Sequence, residues 1–276
     1  MSPSKTVLIT GCSSGIGYHA AHALRDHGYH VLATARKQRD VLRLKEEAFA
    51  AYPLDLDDSA SIARAVMWAQ EKSGGRLYAL FNNGAYGQPG AVEDLSREVL
   101  RAQFETNLFG THELTVKLLP MMIAAGEGRI IQNSSLLGFA AMPYRGAYNA
   151  SKFALEGLSD TLRLELEGTG VYVSIIEPGP IRSRFRSNAL KKFLENIDRN
   201  GSRFSKFYEK KLAQLRSSED VLFTLGPEAV TAALLDALER PKPKVRYRVT
   251  LPTHLFYWLK KCLPERVLDG VLRRVG

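Results

Sequence analysis

Residues 6–17 read TVLITGCSSGIG, an apolar, β-branched run that passes straight into a glycine-rich turn. Residues 6–10 suit a buried strand, and Ala20, Ala21 and Leu24 then recur at helical spacing. Strand, turn and helix in that order make a phosphate cradle. Gly11 permits the tight turn and Gly15 lets the backbone approach a pyrophosphate, while the helix start around Ser14, Ile16 and Gly17 points free amides and the positive dipole end at an anion. The spacing is G-x-x-x-G-x-G, not the G-x-G-x-x-G of many dinucleotide folds. Taken alone, the segment also fits glycines that serve only a turn and close helix packing.

The alternation continues outward. Residues 30–34 (HVLAT), 51–54, 77–81, 129–135 (RIIQNSS), 171–177 (VYVSIIE) and 245–249 read as strands. Residues 62–68, 103–125 and 227–238, and the stretch beginning at Tyr148, have helical spacing. With 276 residues and ordinary apolar content, 45%, the expectation is one α/β domain over residues 1–276. It would be a doubly wound parallel sheet with helices on both faces and the site at the strand carboxyl ends. Residues 182–226 are basic and aromatic with little strict period, which suggests a substrate lid. No repeat or low-complexity linker interrupts the chain.

Several function classes drop out. Cys12 and Cys262 cannot form a disulfide framework and match no metal-ligand spacing, which favours no metal and a reducing cytoplasm. The opening MSPSKTVLIT has only the short apolar run needed for the first strand, so no signal peptide is expected. No apolar run is long enough to span a bilayer. The net charge is +9, but residues 240–276 hold ten Lys and Arg against Glu265 and Asp269, leaving the preceding 239 residues near neutrality. No nucleic-acid partner is expected of a nearly neutral body without a recognised nucleic-acid motif.

The chemistry centres on Tyr148 and Lys152. Four apart on a helix, they share a face, and a fixed cation beside a phenol favours the phenolate and lowers its pKa from about 10. Such a tyrosine can exchange a proton with an alcohol or carbonyl oxygen. Composition alone yields roughly 0.6 such pairs here, and Tyr257 with Lys261 reads as that accident. Ser135, thirteen residues before Tyr148 at a strand end, supports the first pair. The second strand runs into Ala35-Arg36-Lys37 where an NAD enzyme would carry an acid. Arg36 can clamp a 2′-phosphate there, with a further hydrogen bond from Ser13, so NADP(H) is the expected cofactor; solvated charges at a helix start are the bland alternative.

Together the TGCSSGIG turn, Ser135 and Tyr148-x-x-x-Lys152 resemble the short-chain dehydrogenase/reductase family, over about residues 6–181. Within it the TGCSSGIG start, Arg36 and EPGPIRSRF are most similar to bacterial NADP-dependent aldehyde reductases, and more distantly to retinol and 17-beta-hydroxysteroid dehydrogenases. The resemblance implies a Rossmann-type fold, an active site of Asn107, Ser135, Tyr148 and Lys152, and a Lys152 bond to the nicotinamide ribose. It also implies that Asn107 holds a water in a proton relay, although a helix-kinking structural Asn remains an alternative. Asp55, with Leu56, would accept from the adenine amino group; Asp57, Asp58 or Ser59 could cap the next helix. Asn82-Asn83-Gly84-Ala85 inverts the family's usual Ala-Gly pair beside the cofactor ribose. Pro178, Gly179 and Ile181 would lie against the nicotinamide, with Ile181 backbone groups on its carboxamide.

The resulting expectation is an NADPH-dependent carbonyl reductase acting on a small apolar aldehyde, ketone or alcohol, working as a homo-oligomer. An NADP(H)-binding regulatory protein with little turnover is the alternative, and its usual signature would be loss of the Ser, Tyr or Lys. Residues 253–276 interleave apolar residues with Lys and Arg. They fit either a helix packed on the body or a peripheral contact with the inner face of a membrane.

Overall fold

Alternating side chains along each strand decide the layering. In β1 (Thr6–Ile9) Val7 and Ile9 enter one apolar cluster and Leu8 the other. In β4 (Leu77–Asn82) Ala79 and Phe81 join the first and Leu80 the second. A sheet buried on both faces needs helices on both, and the computed structural model, which describes residues 5–216 and 221–275, shows them. One face carries α1 (Gly15–Asp26), α2 (Gln38–Glu46) and α9 (Glu228–Glu239). The other carries α3 (Ser59–Ser73), α5 (Thr111–Ala125) and α6 (Gly146–Glu165).

The remaining strands are β2 (His30–Ala35), β3 (Ala50–Pro53), β5 (Gly128–Asn133), β6 (Val171–Glu177) and β7 (Arg246–Arg248). All pairs are parallel, in the order β3-β2-β1-β4-β5-β6-β7. The winding reverses between β1 and β4, which opens a crevice at their carboxyl ends. Asp58, one of the three capping candidates, caps α3: its carboxylate accepts from the Ala60 amide at 2.9 Å.

The helix expected over residues 103–125 begins earlier and is broken. Helix α4 (Arg97–Phe104) passes through a π-helical turn, Glu105–Gly110, into α5. The backbone there is crowded from outside, since a Cβ on Gly110 would stand 1.9 Å from the Leu56 carbonyl oxygen. A π turn of this kind shifts the side chains that follow and recurs at functional sites.

The region read as having little period forms two helices, α7 (Phe185–Asn196) and α8 (Ser205–Arg216). Residues 217–220 of the expected lid, and residue 276 of the tail, lie outside the described residues. The signal was present: Phe185, Ala189 and Phe193 lie four apart, and Phe204, Phe207 and Tyr208 share one face. Phe193 and Tyr208 pack with Ala91 and Ile197 in a small core of their own. The Tyr208 hydroxyl accepts from the Ala91 amide at 2.8 Å and donates to Asp94.

The tail forms α10 (Leu251–Cys262) and α11 (Glu265–Val275), divided at Pro264. Phe256 and Leu272 are buried with Leu136, Leu137, Met142 and Tyr148. Of the two expectations for this segment, the packed arrangement is the one seen. Part of the basic excess of residues 240–276 is paired with acids of the body, because Arg240 meets Asp236 at 2.6 Å and Arg246 and Arg248 both reach Glu177.

Candidate active site

The crevice is built where two turns cross. Gly11 has φ +74°, and a Cβ there would stand 2.9 Å from the Gly84 Cα. The Thr10 hydroxyl, which the sequence did not single out, accepts from the amides of Asn83 and Gly84 at 2.9 and 2.8 Å. The inverted order therefore has a reason: Gly84 is the residue that meets Gly11, and Thr10 and Leu56 leave little room beside it. Asn83 donates to the Thr10 carbonyl at 2.9 Å and accepts from Asn133 at 3.0 Å.

Five expected cofactor residues, Gly17, Arg36, Asp55, Leu56 and Asn82, do not line the crevice. Asn82 is buried, and its amide donates to Thr115 on α5 at 2.8 Å; strand alternation sends it to the opposite face from the next residue. Gly17 instead lets α1 pack tightly, because a Cβ would stand 2.5 Å from both the Gly11 carbonyl oxygen and the Asn83 amide. Gly11, Ser13, Ser14, Gly15 and Ile16 do line it. At Gly15, φ +59°, the close neighbour is Ser183, whose Cβ would be 2.8 Å from an added one. The loop after β6 thus reaches over the glycine turn.

Arg36 is exposed at the end of β2 and has no ion pair among the described residues. Nearby, Arg43 on α2 donates to the Ser13 carbonyl at 2.7 Å, tying the turn to the same basic corner; its place six residues after Lys37 gave no sign of this. Asp55 accepts from the Asp57 amide at 3.2 Å. Leu56 is buried between the Gly84 and Gly110 turns. Pro178 accepts from the Leu136 amide at 2.8 Å, and Gly179 leaves room for Thr250. Leu225 pairs with Pro180 and Arg182 on either side, so the Ile181 amide faces away with no partner among the described residues.

Ser135, Tyr148 and Lys152 come together at the crevice floor. Ser135 lies two residues past β5 and accepts from the Leu137 amide at 3.1 Å, capping the short 3-10 turn Leu136–Gly138. Tyr148 is buried, and burial pushes its phenol up to about 12, with the Ser135 hydroxyl and the Arg145 charge pulling it back. Lys152 donates to the Asn133 carbonyl at 2.7 Å, with its nitrogen 5.8 Å from the Tyr148 ring centre. Burial draws its own pKa down to about 8, against the pull of Glu156. The expected lowering of Tyr148 by Lys152 is absent in this arrangement. The ammonium is drawn toward the strand end, and desolvation of the phenol outweighs what charge remains beside it.

Asn107 lies inside the π turn. Its side chain accepts from the Tyr86 amide at 3.1 Å and donates to the Tyr86 carbonyl at 2.9 Å and to Ser151 at 3.2 Å. It clasps the β4 loop to α6 one residue before Lys152. Behind the floor, Arg246 binds Glu156, Asp160 and Glu177 at 3.0, 2.6 and 3.0 Å. Three carboxylates share two guanidiniums there, and burial pushes Glu177 up to about 7.

Above the floor is a cavity of about 1430 Å³. One end is the glycine turn; the other is walled by Leu136, Met142, Phe185, Leu255, Phe256 and Leu259. The Phe185 ring stands edge-on to Tyr148 with centres 5.3 Å apart.

The sequence profile of the short chain dehydrogenase family matches residues 5–193. The chain is 45% identical over 269 residues to an oxidoreductase, YbbO, of Escherichia coli K12, covering 98% of this chain and 94% of that one. It is 36% identical to human 17-beta-hydroxysteroid dehydrogenase type 1, over 88% and 77% of the two chains. A solved short-chain dehydrogenase of Streptomyces avermitilis superposes with a TM-score of 0.76 at 28% identity, covering 97% and 99%. The chain belongs to the short-chain dehydrogenase/reductase family, and it is an oxidoreductase by that membership. Other solved neighbours hold NAD or NADP.

Proposed function

We propose that the protein is an NADPH-dependent carbonyl reductase acting on apolar aldehydes or ketones. The observation that carries this reading is the buried Tyr148 phenol, held protonated at neutral pH beside Ser135 on the floor of an apolar cavity. A neutral phenol there is an acid waiting for an oxygen that gains electrons. The residues also fit the cofactor: an unpaired Arg36 suits a 2′-phosphate, the start of α1 suits a pyrophosphate, and the free Ile181 amide suits a carboxamide. Bound NADPH would supply the hydride.

The chain's own residues do the rest. Ser135 donates to the carbonyl oxygen and fixes its position, and Tyr148 gives that oxygen its proton. Lys152, already oriented by Asn133, serves the cofactor ribose. Asn107 holds the β4 loop against α6 and, through the π turn, organises the proton supply to Lys152. Asp55 and Leu56 belong to the adenine end. Helices α7 and α8 act as the lid, with Phe185 as its contact on Tyr148. NADPH oxidation across a panel of aldehydes and ketones tests the reading, and tight NADPH binding with no turnover on any of them would overturn it.

Self-association through α5 and α6 belongs to the same proposal, because Val116, Ile123, Phe153, Leu158 and Leu164 are exposed there. No helix among the described residues is long and apolar enough to cross a membrane. A peripheral contact would have to use Leu255, Trp258, Val267 and Val275, the large apolar tail residues that stay exposed among the described residues.

A further inference from the structure

Arg145 lines the cavity one helical turn before Tyr148, and nothing in the fold repays its charge. It stands at the start of α6, the positive end of the helix dipole, where a cation is disfavoured. The charge of Arg186 faces it and disfavours it further. Among the described residues no carboxylate pairs with it; its recorded side-chain bond is a weak one to the Met142 sulfur at 3.5 Å. The residue is exposed along the cavity, so water reaches the guanidinium and a ligand can too.

Its backbone is fixed from several sides. Tyr144, immediately before it, has φ +62°, a conformation that bulky residues seldom adopt. The Tyr144 ring is stacked on Phe207 with centres 3.7 Å apart, and its carbonyl accepts from the Gly90 amide at 2.9 Å. Arg145 itself bridges Gly90, and Gly146 packs on Val92. Strain kept in place from several sides is a mark of functional positions. Here it sets Arg145 beside Tyr148 in a cavity that Arg182, Arg184 and Arg186 also line and whose wall at Leu255, Phe256 and Leu259 is apolar.

We infer that Arg145 is a specificity-determining residue that binds an anionic group of the substrate, so that the preferred substrates are apolar oxo acids with a carboxylate a few bonds from the carbonyl. A planar guanidinium can hold a carboxylate through two parallel hydrogen bonds. One turn of helix separates it from Tyr148, about 4.5 Å of rise, so the anion sits near the carbonyl and the apolar chain extends toward Phe256 and Leu259. The inference rests on the carbonyl reductase reading and narrows its substrate class.

The test compares 4-oxononanoate with its methyl ester, in wild type and in Arg145→Met, Arg145→Gln and Arg145→Lys. Any effect of Arg145 on the phenol acts on both compounds and cancels in the acid-to-ester ratio of kcat/KM. Wild type should favour the acid at least tenfold; Met and Gln should bring the ratio near one, and Lys should keep part of it. Binding of the same pair, measured by calorimetry with saturating NADP+, needs no turnover and should show the same preference. A wild-type protein that binds and reduces the ester as well as the acid overturns the inference and leaves the reductase reading intact. So does a preference that survives Arg145→Met. No NADPH oxidation with either compound counts against the reductase reading, and the calorimetric ratio still decides the role of Arg145.

Discussion

The Lys152 ammonium is bound to the Asn133 carbonyl, 2.7 Å away, and not to the Tyr148 phenol one turn behind it. The strand end, rather than the tyrosine, thus fixes where the lysine points. Tyr148 and Lys152 can therefore be separated experimentally. Tyr148→Phe should lower turnover by about three orders of magnitude and leave NADPH affinity within a few-fold, since only the proton donor goes. Lys152→Ala should harm both. Near-normal turnover in Tyr148→Phe would remove that residue from the mechanism.

Direction should depend on pH. With the phenol near 12, only about one molecule in 10⁵ carries phenolate at pH 7. Alcohol oxidation needs that phenolate, so its kcat/KM should rise steeply between pH 7 and 9, while carbonyl reduction stays nearly flat. Equal slopes in the two directions would contradict a high Tyr148 pKa.

Cofactor choice should follow Arg36. A charge-assisted contact to phosphate contributes about 1.5–3 kcal/mol, roughly a ten- to hundred-fold preference for NADPH over NADH. Arg36→Asp should abolish or reverse it. Equal use of the two cofactors by the wild type would show that Arg36 has another purpose.

Glu177 makes stability pH-dependent. Its folded pKa, about 7, lies above the ordinary carboxylate value, so the folded state holds the proton more tightly than the unfolded chain does. The stability this gives is complete below about pH 4.5 and is lost as pH rises through 7. Relative to Glu177→Gln, which cannot titrate, wild type should lose stability across that window in denaturant unfolding. A gap between the two that stays constant with pH would disprove the shift.

The second Tyr-x-x-x-Lys pair provides a control. Lys261 does approach the Tyr257 ring, 4.7 Å from its centre, and lowers that phenol. Tyr257 does not line the cavity. Lys261→Ala should therefore leave steady-state turnover unchanged.

The strands were legible because buried parallel strands are short apolar runs, and most bounds differ from the sequence reading by one residue. The glycine turn, Ser135, Tyr148 and Lys152 were legible because each has a fixed local spacing. What the sequence concealed depends on contacts across the chain. The π turn at Glu105–Gly110 lies against Leu56, about fifty residues away, and no local period announces it. Thr10 and Arg43 look like an ordinary strand end and an ordinary helix charge until the turns they hold are folded together. Asn82 and Asn83 are adjacent and chemically alike, so only the strand's facing decides which lines the crevice. Helices α7 and α8 had readable spacing, but it was hidden by the basic residues between the aromatics.

Helices α10 and α11 pack against Leu136, Met142 and Tyr148, so the far wall of the reaction chamber comes from a segment that contributes nothing to the glycine turn. Selection can therefore rewrite which molecules are admitted without disturbing how the redox partner is held. An exchange of residues 251–275 between relatives would carry substrate range with it, as an interchangeable part carries its own shape into a machine whose drive is unchanged.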